Sequence, residues 1–139
     1  MKKHAATILI LMLVGLTGLV NAQAVRATIR ADVPFDFIAS GKTMPAGEYK
    51  INVTGDGPTI LVIGTQRQSV YALPHMTASL KNAEGTTLVF HRYGDRRFLA
   101  AVTLEGDKIG YELPESKVEA ELQAKNMAES DETLVALNK

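Results

Sequence analysis

Apolar side chains recur at every second position over much of this chain. Val33, Phe35 and Phe37 alternate with Pro34, Asp36 and Ile38, and Tyr49, Ile51 and Val53 alternate with Lys50, Asn52 and Thr54. A period of two in aromatic and β-branched residues predicts half-buried strands. Between the two runs lies Ser40–Gly47. Pro45 presets φ there and Gly47 tolerates positive φ, so the segment predicts a loop closed by a turn. Gly55-Asp56-Gly57-Pro58 predicts a second turn. The continuous apolar run Thr59–Ile63 predicts a buried central strand, and Gln68–Leu73 predicts another strand, stopped by Pro74. Lys81–Gly85 is a polar loop.

The stretch Thr86–Leu113 carries the most information. Gly94-Asp95 and Gly106-Asp107 both have the form of two-residue hairpin turns. Counting outward from the first places Tyr93 opposite Arg96, Arg92 opposite Arg97, His91 opposite Phe98 and Val89 opposite Ala100. Counting outward from the second places Glu105 opposite Lys108, Leu104 opposite Ile109, Val102 opposite Tyr111 and Ala100 opposite Leu113. Both hairpins then agree on one core face: Val89, His91, Phe98, Ala100, Val102, Leu104, Ile109, Tyr111 and Leu113. A slip of one residue would break that agreement, because strand side chains alternate between faces. The other face holds Phe90, Leu99 and Ala101, so it too needs a cover, for which the C-terminal helix is the candidate.

That helix follows Leu113-Pro114. Ser116 with Glu119 three residues later forms a capping-box pattern, and helix formers continue to Asn126. Val118 and Leu122, one turn apart, give it a narrow apolar stripe. The helix is expected near residues 115–126, and Thr133–Leu137 is apolar enough for a last edge strand. Seven or eight short strands with turns every few residues and one C-terminal helix predict a mainly β domain, a small antiparallel sandwich or barrel.

The ends of the chain change this picture. Met1-Lys2-Lys3-His4 precedes an uncharged apolar run, Ala5–Val20, which closes on Val20-Asn21-Ala22. A basic start, a short apolar stretch and small residues at a cleavage position make a secretory signal peptide over residues 1–22. The run is short for a membrane span. Cleavage leaves residues 23–139, 117 in all, as a single β-rich domain that is periplasmic or secreted. There is no cysteine, so the domain has neither disulfide nor thiolate metal site. The processed chain has 13 basic and 15 acidic residues, which leaves no electrostatic footprint for nucleic acid. It holds no second apolar stretch long enough to span a membrane.

Candidate chemistry is sparse. Ser40-Gly41-Lys42-Thr43 ends like a phosphate loop, but the position that should hold the first glycine is Asp36, and Pro45 stands where a helix should start. Lys42 is therefore read as a solvated loop lysine. There is no Gly-x-Ser-x-Gly elbow. Beyond the signal the histidines are His75, beside Pro74 and exposed, and His91, on the expected core face as a structural residue. Asp32 and Asp36, four apart on an expected strand, would share a face as a glycosidase pair could, with solvation at a strand edge as the simpler account. Asn52-Val53-Thr54 is a glycosylation sequon that matters only in a eukaryotic secretory pathway. No catalytic, cofactor or metal residue is assigned.

Arg92 opposite Arg97 is the one local conflict, because like charges directly opposed across strands repel. Arg96 adjoins them. A carboxylate or an anion between the guanidinium groups would resolve it. Asp36, Asp95 and Glu115 are the internal candidates, and Arg92, Arg96 and Arg97 together are the candidate contact for a small anion.

Four blocks form an ordered set: Val33-Pro34-Phe35-Asp36-Phe37, Gly41–Tyr49, Leu88–Asp95 and Leu113-Pro114-Glu115-Ser116. As a set they resemble a family of small, secreted, β-rich bacterial proteins, with Met44 where leucine is expected. The resemblance spans roughly Val33 to Leu122. It implies a bacterial exported protein and assigns no activity to any residue. The function expected first is an exported, noncatalytic binding or structural module meeting a small anion or an envelope partner. A small lipocalin-like barrel holding an apolar ligand comes second, and a hydrolase is a distant third.

Overall fold

A computed structural model describes residues 24–55, 59–125 and 129–135. The expected signal segment 1–22, most of the expected turn at 55–58, the expected helix end at Asn126 and the last positions of the expected strand 133–137 lie outside these residues. Two sheets pack face to face and neither closes into a barrel. The described residues form eleven strands, against the expected seven or eight. The first sheet has the order β1-β4-β5-β6, from β1 (Val25–Val33), β4 (Gly47–Thr54), β5 (Ile60–Gly64) and β6 (Ser69–Ala72). The second has the order β11-β8-β9-β10-β7, from β11 (Glu129–Val135), β8 (Thr87–Tyr93), β9 (Arg96–Thr103), β10 (Ile109–Glu112) and β7 (His75–Ala78). The short strands β2 (Phe37–Ala39) and β3 (Lys42–Met44) attach to β9 through one parallel bridge, Ile38 to Phe98.

Local chemistry explains where the strands break. The expected strand through Val33–Phe37 is interrupted, with β1 ending at Val33 and β2 starting at Phe37. Pro34 has no N–H to give to a ladder. Ser40–Gly47 is not simply a loop. Ser40 and Gly41 both have positive φ (49° and 80°), a type I′ turn that pairs Ala39 with Lys42 in a tight hairpin. Asp36 leaves the strand altogether and accepts a hydrogen bond from the Ala46 N–H at 2.8 Å. It therefore shares no strand face with Asp32, and the glycosidase-like pairing weighed against simple solvation does not form.

The hairpin at Gly94-Asp95 has the expected register from Tyr93–Arg96 to His91–Phe98. Gly94 alone takes positive φ, as a type II′ turn requires. Beyond Phe90–Leu99 the partner of Val89 is Ala101, not the expected Ala100. Ala100 is a β-bulge, an extra residue that shifts everything after it to the other face. The expected single core face is thus divided. Leu88, Phe90, Leu99, Val102 and Tyr111 face the first sheet, within the main core. His91 and Phe98 lie on the opposite face, under the helix. The second hairpin keeps the expected register, with Val102 opposite Tyr111, but its connection is longer than two residues. The ladder starts at Thr103–Gly110, the Asp107 N–H bonds the Leu104 carbonyl at 3.0 Å, and Glu105 and Lys108 are not ladder partners.

Between the sheets the core is apolar and filled. Ile29, Ile51, Ile60, Val62, Phe90 and Val102 are all essentially inaccessible. Phe90 packs edge-on against Phe35 and Phe37, with centroids 5.1 and 5.4 Å apart. β5 is inner in the strand order but buried on one face only. Ile60 and Val62 point inward while Leu61 and Ile63 are half-buried on the outside.

Helix α1 (Lys117–Ala124) starts at the expected N-cap, Ser116, whose Oγ accepts from the Glu119 N–H at 3.2 Å. The reciprocal half of the capping box is not made. Glu119 turns its carboxylate toward the sheet and is buried there, and Val118 points outward. Of the expected apolar stripe only Leu122 is half-buried, and the most buried residue of the helix is polar.

Candidate functional site

Every charged residue singled out from the sequence now has a place. Glu132 on β11 lies between Arg92 and Arg97 and resolves their conflict. Arg97 donates from Nε to Glu132 Oε2 at 2.7 Å and from Nη2 to Oε1 at 3.4 Å, and Arg92 donates from Nη1 to Oε1 at 3.2 Å. The Arg97 guanidinium also lies 4.4 Å over the Phe35 ring, a cation–π contact. Arg92 Nε donates to the Gly94 carbonyl at 2.8 Å. The arginine hydrogen bonds, led by that of Arg97, hold the Glu132 carboxyl below its ordinary value. The acid is Glu132, not Asp36, Asp95 or Glu115, because β11 starts earlier than its composition suggests and pairs with β8 over its whole length. Arg96 is exposed and joins neither contact.

His91 Nδ1 lies 2.8 Å from Glu119 Oε1, and Nε2 lies 3.9 Å from Asp131 Oδ1. One ring thus ties the helix and the last strand to β8. Tyr93 receives a hydrogen bond at its hydroxyl from Gln123 at 2.9 Å. Among the described residues no group of three or more His, Asp or Glu side chains is placed to hold a metal ion. His75 is exposed on β7. Lys42, far from any phosphate-loop geometry, donates to the Ser69 carbonyl on β6 at 3.0 Å.

One concavity was not foreseen. It is a groove of about 430 Å³ on the outer surface of the first sheet, lined by Arg30, Asp32, Glu48, Lys50, Ile63 and Thr65 over a floor of Ala31, Tyr49 and Gly64. The register of β1 with β4 sets Arg30 opposite Lys50 and Asp32 opposite Glu48. Two like-charged rows therefore lie side by side, about 7 Å apart along the strands at ~3.4 Å per residue. None of the four makes a hydrogen bond or ion pair among the described residues through its side chain. Gly64 leaves room for the buried Tyr49 ring, since a Cβ there would stand 3.0 Å from Tyr49 Cε1. The Tyr49 hydroxyl donates to the Pro45 carbonyl. Burial, and secondarily the nearby Asp36 charge, push its pKa up.

Alternation from Tyr49 onward was visible, but the strand over 25–33 and its pairing with that stretch were not. No tight turn joins β1 to β4, and the β2–β3 hairpin inserted between them conceals the register. No protein-family model matches the chain, and neither a curated protein nor a solved structure matches it.

Proposed function

We propose that the chain is an exported, noncatalytic binding module that meets its ligand on the outer surface of the first sheet. The observation that carries this reading is the groove with its two unpaired like-charged rows. Directly opposed like charges cost stability unless something of complementary charge satisfies them. A ligand with an anionic group over Arg30 and Lys50 and a cationic group over Asp32 and Glu48 would satisfy both rows at once. The groove is open, and Ile63 adds an apolar side chain to its charged walls.

The lipocalin-like alternative loses its scaffold, because the sheets stay open and the space between them is filled by side chains. Against a hydrolase stands the structural work of His91, which ties α1 and β11 to the sheet. Among the described residues no helix is long and apolar enough to cross a membrane. Export rests on the basic, apolar and small-residue succession of residues 1–22.

Two measurements test the reading on protein expressed for export. Intact mass spectrometry should give a chain beginning at Gln23, and a retained 1–22 segment would refute export with cleavage. Titration of labelled protein with glycylglycine, followed by amide chemical shifts, should move residues 30–32 and 48–50 saturably. N-acetylglycine amide, which lacks both charges, should leave them in place. Equal shifts with both probes, or shifts unchanged in Arg30→Gln, would overturn the binding site.

A further inference from the structure

Each of the four sheet edges ends differently. β1 carries Arg26, Arg30 and Asp32, and Arg26 reaches across to the other sheet, donating to the Tyr111 hydroxyl at 2.7 Å and to Asp107 at 2.8 Å. β6 is blocked by the Lys42 ammonium on the Ser69 carbonyl. β11 carries Asp131 and Glu132. Charges at an edge deter pairing with another chain. β7 has no such guard. It pairs with β10 alone, and all four of its residues are exposed.

The sequence around it is just as bare. From Gln68 to Leu80 there is no Asp, Glu, Lys or Arg. Among the described residues this segment also supplies four of the six exposed large hydrophobic side chains: Tyr71, Leu73, Met76 and Leu80, from 59 to 99 % exposed. Scattered apolar residues on a surface need no explanation, but a concentration of them beside a free strand edge does. The register puts Met76 opposite Tyr111, on the inner face of its sheet. Its exposure means that the two sheets gape at this side.

We propose that β7 is an interface for a second copy of this chain, paired antiparallel across a two-fold axis. Such an interface uses the same strand twice, so each residue near the axis meets its own copy or a close neighbour of it. A charged strand would set like charges against each other in that arrangement, as Asp131 and Glu132 would do on β11. β7 holds no Asp, Glu, Lys or Arg to oppose its own copy in any register. The pairing satisfies both free backbone edges, joins two seven-stranded sheets, and covers Leu73, Met76 and Leu80 at the gaping side. It is independent of the charged groove, which lies on the outer face of the other sheet.

The test is sedimentation velocity of the exported protein from micromolar to millimolar concentration, with hydrogen exchange of the β7 amides. A dimer is expected, with β7 exchange slowing as the dimer forms. Met76→Lys places like charges near the axis and should raise the dimer dissociation constant by at least about tenfold, a loss of ~1.4 kcal/mol. Thr77→Lys makes the same test from the other face of the strand, should Met76→Lys not fold by circular dichroism. Val25→Lys, at an exposed apolar position on β1, should dimerise normally. A wild type that stays monomeric throughout overturns the proposal. So does a dimer that survives both folded β7 variants, since its interface must then lie elsewhere.

Discussion

Replacing Glu132 by Gln should destabilise the domain by about 1–2 kcal/mol. The structure sets that magnitude between two limits. Exposed ion pairs contribute roughly 0–1 kcal/mol, while breaking a buried one costs about 3–5 kcal/mol. Arg97 and Glu132 are 22 and 28 % exposed at their side chains, so this contact lies between the limits. Arg92, at 42 %, adds less. Glutamine still accepts one hydrogen bond but leaves Arg92 opposite Arg97 with no charge between them. For a domain of this size the unfolding entropy is roughly 0.25 kcal/mol/K, which converts the loss to a fall in Tm of about 4–8 °C at neutral pH. The pH dependence is fixed in sign. The folded pKa of Glu132 is lowered from 4.5, so its contribution is fully present above that value and is lost as pH falls through the lower folded pKa. Wild type and variant melts, followed by circular dichroism, should differ at pH 7 and converge in strong acid. Equal Tm values at pH 7 would refute the reasoning. So would a stabilised Arg92→Ala, which would mean that repulsion between the arginines outweighs their contacts with Glu132.

Two further substitutions probe other parts of the fold. His91→Leu should lower stability by about 1–3 kcal/mol, because the buried Glu119 carboxylate loses a partner; an unchanged urea midpoint would show that the ring does not hold α1 to the sheet. Gly64→Ala should cost about 1–3 kcal/mol by overpacking, since Tyr49 is fixed by its edge-on contact with Phe37 at 5.0 Å and by its hydroxyl bond to Pro45. Gly85→Ala, with nothing within 4 Å of the added carbon, is the matched control and should be close to neutral.

Local signals were legible wherever a short-range constraint decides the structure. Gly94 needs positive φ, so the turn and the three residue pairs beside it could be counted from the sequence. Ser116 fixed the helix start, and Leu113-Pro114 the end of the β sheet before it. The reading failed where the outcome depends on something distant. Nothing near Ala100 announces a bulge; it follows from the need to bury apolar residues on both faces of β9. The acid between Arg92 and Arg97 comes from 35 residues beyond Arg97, in a segment whose composition resembles a solvated tail. Asp131 and Glu132 are poor strand formers, and the pairing with β8 overrides that preference because the arginines and His91 await them there. The charged groove escaped for the same reason, since it exists only once β1 and β4 are in register.

The bulge at Ala100 also explains why the C-terminal segment is held by a different chemistry from the rest. Before it, Phe98 faces α1; after it, Val102 faces the first sheet, and Leu99 keeps β9 continuous with the main core. A sheet without the bulge would have to send Phe98 and Val102 to the same face, leaving one side short of apolar surface. The residues that hydrogen-bond from the helix to the sheet are Glu119 and Gln123, with Leu122 half-buried beside them. Their partners, His91 and Tyr93, project from β8 on that same face. The two sheets are thus joined by apolar burial, which is non-directional and tolerates small shifts. The helix is joined by hydrogen bonds that must be satisfied together, because a buried carboxylate left alone is costly. β11 follows the same logic, with Glu132 matched to two arginines at fixed positions on β8 and β9. Directional contacts of this kind specify where the segment docks more than how tightly it does so. They account for a last strand that pairs with β8 in one register despite its acidic composition.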